Sequence, residues 1–252
     1  MSPLHPIIAA LPTIIAHRGA SGTAPENTLA AIERAAMLGA RAIELDVMLS
    51  ADGYPVIIHD RGLARTTNAM GQVARRSLAE IRSLDAGSWF APEFAGERVP
   101  RLEEALGLIA ELGMALNLEI KPSRGKARET AHIAARVTGQ NWPQGLPLLV
   151  SSSSEAGLRA FGEAQPGVPL GLISGAVPRD WRRRLAGLGC ISLHAARDKI
   201  SAAAARRIRD AGFGLLAHTV NQPAEAERLF EMGIDAIFTD HPERFTAPPA
   251  RG

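Results

Sequence analysis

Short apolar runs alternate with amphipathic stretches through most of this chain. The runs begin near residues 13, 42, 115, 146, 169, 190, 214 and 236. Each is too short for a helix and is bounded by polar or glycine-containing segments, which reads as a buried strand. Between them the apolar positions fall at helical spacing. Leu29, Ile32 and Ala36 share one face, with Asn27 as the expected N-cap and Gly39 as the stop. Further helices are predicted at 102–112, 130–137, 155–163, 179–185, 201–211 and 223–232. Strands alternating with helices predict an α/β protein with a parallel sheet, and eight strands predict a TIM (β/α)8 barrel. No helix of useful length follows the run at 236–239, so the segment at 3–11 is expected to cover that side instead.

The pattern breaks twice. After the run at 42–47, Asp52-Gly53 signals a hairpin, and 55–58 reads as its returning arm, a β-hairpin extension of the second strand. With Asp52 and Gly53 as the two turn residues, Ala51 faces Tyr54 and Asp46 faces His59. Residues 60–101 then lack either period apart from a short helix at 77–84, and read as an insertion, lid or structural, within one barrel domain spanning 1–252. Trp89 and Phe90 are its small core or a cover over the site.

Composition narrows the class. The chain has 252 residues, 46% hydrophobic and 21% charged, which suits one soluble barrel. Net charge is +2 and the longest basic run is Arg182-Arg183-Arg184, so no nucleic-acid partner is expected. One cysteine, Cys190, excludes an internal disulfide and reads as an inert core thiol of a reducing compartment. Pro3, Pro6 and Pro12 interrupt the apolar N-terminus, so no membrane insertion is expected and the location is read as cytoplasmic. Oligomeric state carries no sequence signal.

In such a barrel the strand C-termini face the active site. Those ends supply His17 and Arg18, Glu44 and Asp46, Glu119 and Lys121, Ser151 and Ser152, His194, then His218, Thr219 and Asn221, and finally Asp240. His59 joins them from the hairpin arm. Glu44 and Asp46, two apart on a strand, point the same way, and such a pair is costly without a cation between them. All-oxygen ligation by Glu44, Asp46 and Glu119 suits one Mg²⁺ or Ca²⁺ better than Zn²⁺. His17 and His59 suit general acid–base catalysis, and Arg18 and Lys121 a phosphate clamp. The reaction class is phosphodiester cleavage. His194 and His218 are further pocket candidates, whereas His5, His132 and His241 read as surface or structural.

These residues lie in motifs that resemble the glycerophosphodiester phosphodiesterase family. The motifs are HRGASGTAPENT at 17–28, ELDVMLSADGYPVIIHD at 44–60, LARTTN at 63–68, LDAGSWF at 84–90, VPRLEEAL at 99–106, LEIK at 118–121, TVN at 219–221 and GIDAIFTDHP at 233–242. The resemblance implies a TIM barrel with an insertion after the His59 arm, and a divalent metal held by Glu44, Asp46 and Glu119. It implies His17 and His59 as base and acid, and Arg18 and Lys121 on the phosphate. It also implies hydrolysis of a small glycerophosphodiester to glycerol 3-phosphate and an alcohol, through a cyclic phosphate. The family often carries an aromatic before TVN, where this chain has His218. The alternative enzymatic reading is phospholipase D-like or C-like cleavage of lysophospholipid or phosphoinositide head groups. That would need an apolar rim, for which WFAPEF at 89–94 is the best candidate. A non-catalytic barrel would be expected to lack a histidine or carboxylate, and all five are present.

Overall fold

A computed structural model of the protein describes residues 4–245. Its strands are β1 (Ile14–His17), β2 (Ala42–Leu49), β3 (Pro55–Ile57), β4 (Ala115–Ile120), β5 (Leu148–Ser152), β6 (Leu170–Ser174), β7 (Cys190–Ala196), β8 (Gly214–His218) and β9 (Ala236–Thr239). All pair in parallel except β3, which is antiparallel to β2. The order runs β1-β9-β8-β7-β6-β5-β4-β2, and β1 also pairs with β2, so eight strands close into the expected TIM barrel. The helices are α1 (Pro6–Ala10), α2 (Leu29–Met37), α3 (Leu78–Arg82), α4 (Leu102–Glu111), α5 (Ala127–Asn141), α6 (Glu155–Ala164), α7 (Trp181–Leu188), α8 (Ala202–Asp210) and α9 (Pro223–Glu231).

Alternation sorts each strand's side chains into two sets. Ile43, Leu45 and Val47 of β2 join Leu116, Leu118 and Ile120 of β4 in the large apolar layer under the helices. Cys190 lies in the same layer, and burial pushes its thiol up to about 12, as an inert thiol requires. The other set points into the barrel. At the N-terminal end it is apolar: Ile15, Ala42, Ala115, Leu149, Leu216 and Ala236 cluster with Ile8 and Leu11. The N-terminal segment therefore plugs the bottom of the barrel instead of covering the side left bare after β9. The reason is shape: a barrel of small and medium side chains leaves an apolar floor open, and Ile8 and Leu11 fill it. Gly214 makes room, since a Cβ there would stand 2.9 Å from Ile8 Cγ2. Pro3 lies outside the described residues.

The hairpin register differs from expectation by one residue. Val47, Met48 and Leu49 face Ile57, Val56 and Pro55, so Asp46 stands opposite Ile58 and its backbone carbonyl accepts the Ile58 N–H at 2.9 Å. The turn has three residues, not two: Ser50 N–H bonds Tyr54 O at 2.9 Å, and Gly53 takes a left-handed φ of +83°. The Ser50 hydroxyl favours this longer turn, donating to Asp52 Oδ1 at 2.7 Å and accepting Tyr54 N–H at 2.9 Å. A one-residue slip would turn His59 to the wrong face of a continuing strand. β3, however, ends at Ile57, which frees His59 from alternation.

The segment between β3 and α4 contains α3, capped by the Ser77–Glu80 capping box, and two 3₁₀ turns. Leu63, Val73, Ile81, Ala86 and Val99 pack on Met48, Val56 and Ile58 of the hairpin. Trp89, Phe90 and Phe94 form a separate edge-to-face cluster, with ring centroids 5.7 and 5.6 Å apart and Trp89 39% exposed. They belong neither to that small core nor to the wall of the mouth.

Candidate active site

At the C-terminal end of the barrel the inward set turns polar. Continuing β2 from Ala42 gives Glu44 and Asp46, and continuing β4 from Ala115 gives Asn117 and Glu119. Asp46 and Glu119 are register partners on adjacent strands. Glu44, Asp46 and Glu119 each offer an oxygen, and these oxygens lie within 4.8 Å of one another. Burial and the charges of Asp46 and Glu119 push the Glu44 carboxyl well above the usual range. Burial and Asp46 push Glu119 up to about 7. Asp46 goes the other way: burial would raise it, but Lys121, Arg18, His59 and the Asn27 amide hold it low. Glu44 Oε1 is buried with no partner. Three crowded carboxylates, one of them with an orphaned oxygen, fit a divalent cation.

His17 ends β1. Its Nδ1 lies 2.7 Å from Asp240 Oδ1 beyond β9, and its Nε2 3.9 Å from Glu44. Ser21 and Asn221 also donate to Asp240. Burial would raise the Asp240 carboxyl, yet His17, Asn221 and Ser21 hold it well below the usual range. The next residue, Arg18, takes a left-handed φ of +56°, a strained choice for a side chain with a Cβ. That bend aims its N–H at Glu44 Oε2, 3.0 Å away. Gly19 follows at +85°, where any Cβ would strike Ala31 at 2.6 Å. The Arg18 guanidinium reaches Glu26 at 2.9 Å and Asp46 at 3.3 Å. Lys121 reaches Glu119 at 3.0 Å and Asp46 at 3.6 Å. Both cations thus stand beside the carboxylates and line the same cleft.

His59 faces the same cleft from beyond β3, with Nδ1 2.6 Å from Asp60 Oδ1. Burial pulls its pKa below the usual value. Arg65 binds Asp60 at 2.6 Å and forks onto Glu26 at 2.6 and 2.8 Å. Glu26 in turn holds Arg18. One chain of ion pairs therefore ties His59 on the inserted side to Arg18 on the β1 side.

The cleft measures ≈ 230 Å³. Its inner end is neutral: His194, His218, Asn117, Ile173 and Phe238. Burial pulls His194 down to about 3 and His218 down to about 4, so both rings are uncharged at neutral pH. His194 Nδ1, His218 Nε2 and Asn117 Oδ1 are buried without partners. Gly171 creates the space for His194, since a Cβ there would lie 2.6 Å from its Nε2.

All nine candidate residues of the sequence reading thus line or border one cleft. Asn27 needs correction. The N-cap of α2 is Thr28, whose hydroxyl accepts Ala31 N–H at 3.1 Å. Asn27 sits at a φ of +59° and brackets Asp46, donating to Oδ2 at 2.8 Å and accepting its N–H at 3.2 Å. Sequence reasoning gave no role to Asp240, Asp60, Glu26 or Arg65. The His59-Asp60 neighbours and the LARTTN motif were the available signals.

The barrel and its mouth define a hydrolase of phosphodiesters. The model of the "Glycerophosphoryl diester phosphodiesterase family" matches residues 17–244. A glycerophosphodiester phosphodiesterase of Caldanaerobacter subterraneus is 37% identical over 233 residues, covering 91% of this chain and 94% of that one. An Oleispira antarctica phosphodiesterase, solved in complex with the product sn-glycerol-3-phosphate, superposes with a TM-score of 0.93 at 42% identity, covering 94% of this chain and 96% of that one. A glycerophosphodiester phosphodiesterase structure from Agrobacterium tumefaciens gives a TM-score of 0.73 at 28% identity, covering 93% and 99%. The chain belongs to the glycerophosphodiester phosphodiesterase family.

Proposed function

We propose that this enzyme cleaves glycerophosphodiesters with a free glycerol arm, releasing glycerol 3-phosphate and an alcohol, by acid–base catalysis between His17 and His59. The observation that carries the reading is the carboxylate trio of Glu44, Asp46 and Glu119, with its orphaned Glu44 oxygen, lying in one cleft with both histidines. These three would hold one Mg²⁺ or Ca²⁺. When bound, such an ion polarises a phosphoryl oxygen and lowers the pKa of a nearby hydroxyl.

The chain's own residues divide the remaining work. The neutral inner end takes the glycerol arm, where the unpartnered atoms of His194, His218 and Asn117 match its hydroxyls. A cleft of ≈ 230 Å³ is of a size to take a free glycerol arm. His17, held through Nδ1 by Asp240, takes the proton of the glycerol 2-hydroxyl. The freed oxygen attacks its own phosphorus, a step favoured by proximity. His59 stands where the cleft opens outward, and its Nε2 gives a proton to the departing alcohol oxygen. In the second step His59 takes a proton from water. That oxygen attacks phosphorus, the ring P–O bond breaks, and His17 returns its proton to the glycerol oxygen. Arg18 and Lys121 hold the non-bridging oxygens.

The test is glycerol 3-phosphate release from a panel of glycerophosphodiesters, after dialysis against EDTA and with Mg²⁺ or Ca²⁺ restored. Activity should vanish with the metal and return with it. Full activity after exhaustive chelation removes the carboxylate trio from the reaction. Hydrolysis of lysophospholipid but not of glycerophosphocholine overturns the free-glycerol pocket.

A further inference from the structure

Beyond His59 the cleft opens into a second, larger groove of ≈ 520 Å³. The two share His59, Glu119, Lys121 and Ser153, so a diester with its phosphorus at the carboxylates would have one arm in each. The charges of the groove are uneven. Asp60 is taken by Arg65 and His59, and Glu119 by Lys121. Arg61 and Arg124 have no carboxylate partner within ion-pair distance among the described residues. The Arg61 guanidinium donates to the Pro122 carbonyl at 3.3 Å. Ala127, the first residue of the fifteen-residue α5, closes the same wall, so the positive end of that helix faces the groove too. Ser123 and Ser154 add hydroxyls.

We infer that this groove receives the leaving alcohol and selects diesters whose alcohol carries a further anionic group, a phosphate or a carboxylate. The inference rests on the reading that the neutral inner cleft holds glycerol. Two uncommitted guanidinium groups and a helix N-terminus favour an anion, and disfavour a quaternary ammonium of similar size. A phosphate arm would use both arginines, a carboxylate one of them. The attraction acts through solvent, so it weakens as salt rises.

The test compares kcat/KM of the metal-loaded enzyme on four diesters: glycerophosphoglycerol bearing a terminal phosphate, glycerophosphoserine, glycerophosphoglycerol and glycerophosphocholine. The neutral glycerophosphoglycerol rate normalises every variant. At low salt the terminal phosphate should be preferred over choline by about tenfold or more, with serine between, and the preference should shrink at high salt. Arg61→Ala with Arg124→Ala should bring the ratio to within about twofold of unity, and Arg61→Glu with Arg124→Glu should invert it. Both residues are exposed, so these variants should fold, and their unfolding temperatures check that. A wild-type preference for choline, or an unchanged ratio in the double alanine variant, overturns the proposal. Failure to hydrolyse any of the four would instead sink the glycerophosphodiester reading beneath it.

Discussion

The two ends of this barrel are built from the same strands and the same inward-facing positions, yet they hold opposite chemistry. Along β2 the inward residues run Ala42, Glu44, Asp46; along β4, Ala115, Asn117, Glu119; along β1, Ile15 then His17; along β8, Leu216 then His218. The floor is apolar, plugged by Ile8 and Leu11, and every contact there adds to stability. The mouth crowds carboxylates, strains Arg18 and leaves His194, His218 and Asn117 with unpartnered atoms, and each of these costs stability. The candidate catalytic groups thus sit in one layer, above the apolar layer that closes the floor.

That division is broken most forcefully at the mouth. His17→Ala and His59→Ala should each lower kcat by ~10²–10⁴. Neither should lower the unfolding temperature appreciably, because both side chains contribute little apolar packing. A matching collapse in stability would show that the histidines support the barrel and that the two layers are not separate.

The floor gives the converse. Ile8→Ala or Leu11→Ala empties a buried site and should cost about 2–5 kcal/mol in denaturant unfolding. Turnover measured well below the transition should stay near wild type. If the plug variants lose turnover at unchanged stability, the floor is coupled to the mouth.

Asn27 and Thr28 sharpen the comparison on two adjacent residues, and they also show what the sequence could disclose. Alternation of apolar runs located all eight barrel strands, and strand-end placement located the carboxylates and histidines, because both depend on local periodicity. The exchange between Asn27 and Asp46 was hidden, since a left-handed residue that reaches across to another strand has the same composition signature as a helix cap. The hairpin register was hidden for a related reason: Asp52-Gly53 signals a turn, but the Ser50 hydroxyl decides its length. The Glu26–Arg65 link in the chain of ion pairs spans 39 residues, which no period can reveal. Thr28→Ala should therefore cost about 1 kcal/mol of stability with activity retained. Asn27→Ala should weaken divalent-metal affinity by roughly 10–100-fold, read by metal titration. Equal effects of the two on metal affinity would return Asn27 to the role of a simple cap.

The smallest expected effect concerns how the mouth carries its charge without metal. Glu119 is raised from 4.5 to about 7, so the folded chain binds that proton more tightly than the unfolded chain between those values. Stability from this group therefore falls as pH rises through the window, and Glu44, also raised, acts in the same direction. His194 and His218, lowered to about 3 and about 4, oppose it, because falling pH favours charging them in the unfolded chain. The total slope mixes both, but the difference between wild type and Glu119→Gln isolates the carboxyl. In EDTA the variant should match wild type near pH 4 and become the more stable of the two as pH rises toward 8, by calorimetric unfolding. Saturating Mg²⁺ or Ca²⁺ should reverse that order, because the bound ion stabilises the wild-type trio by mass action and the variant less. A difference that stays flat with pH would mean that Glu119 bears no repulsion in the folded chain, and that the mouth costs the fold nothing there.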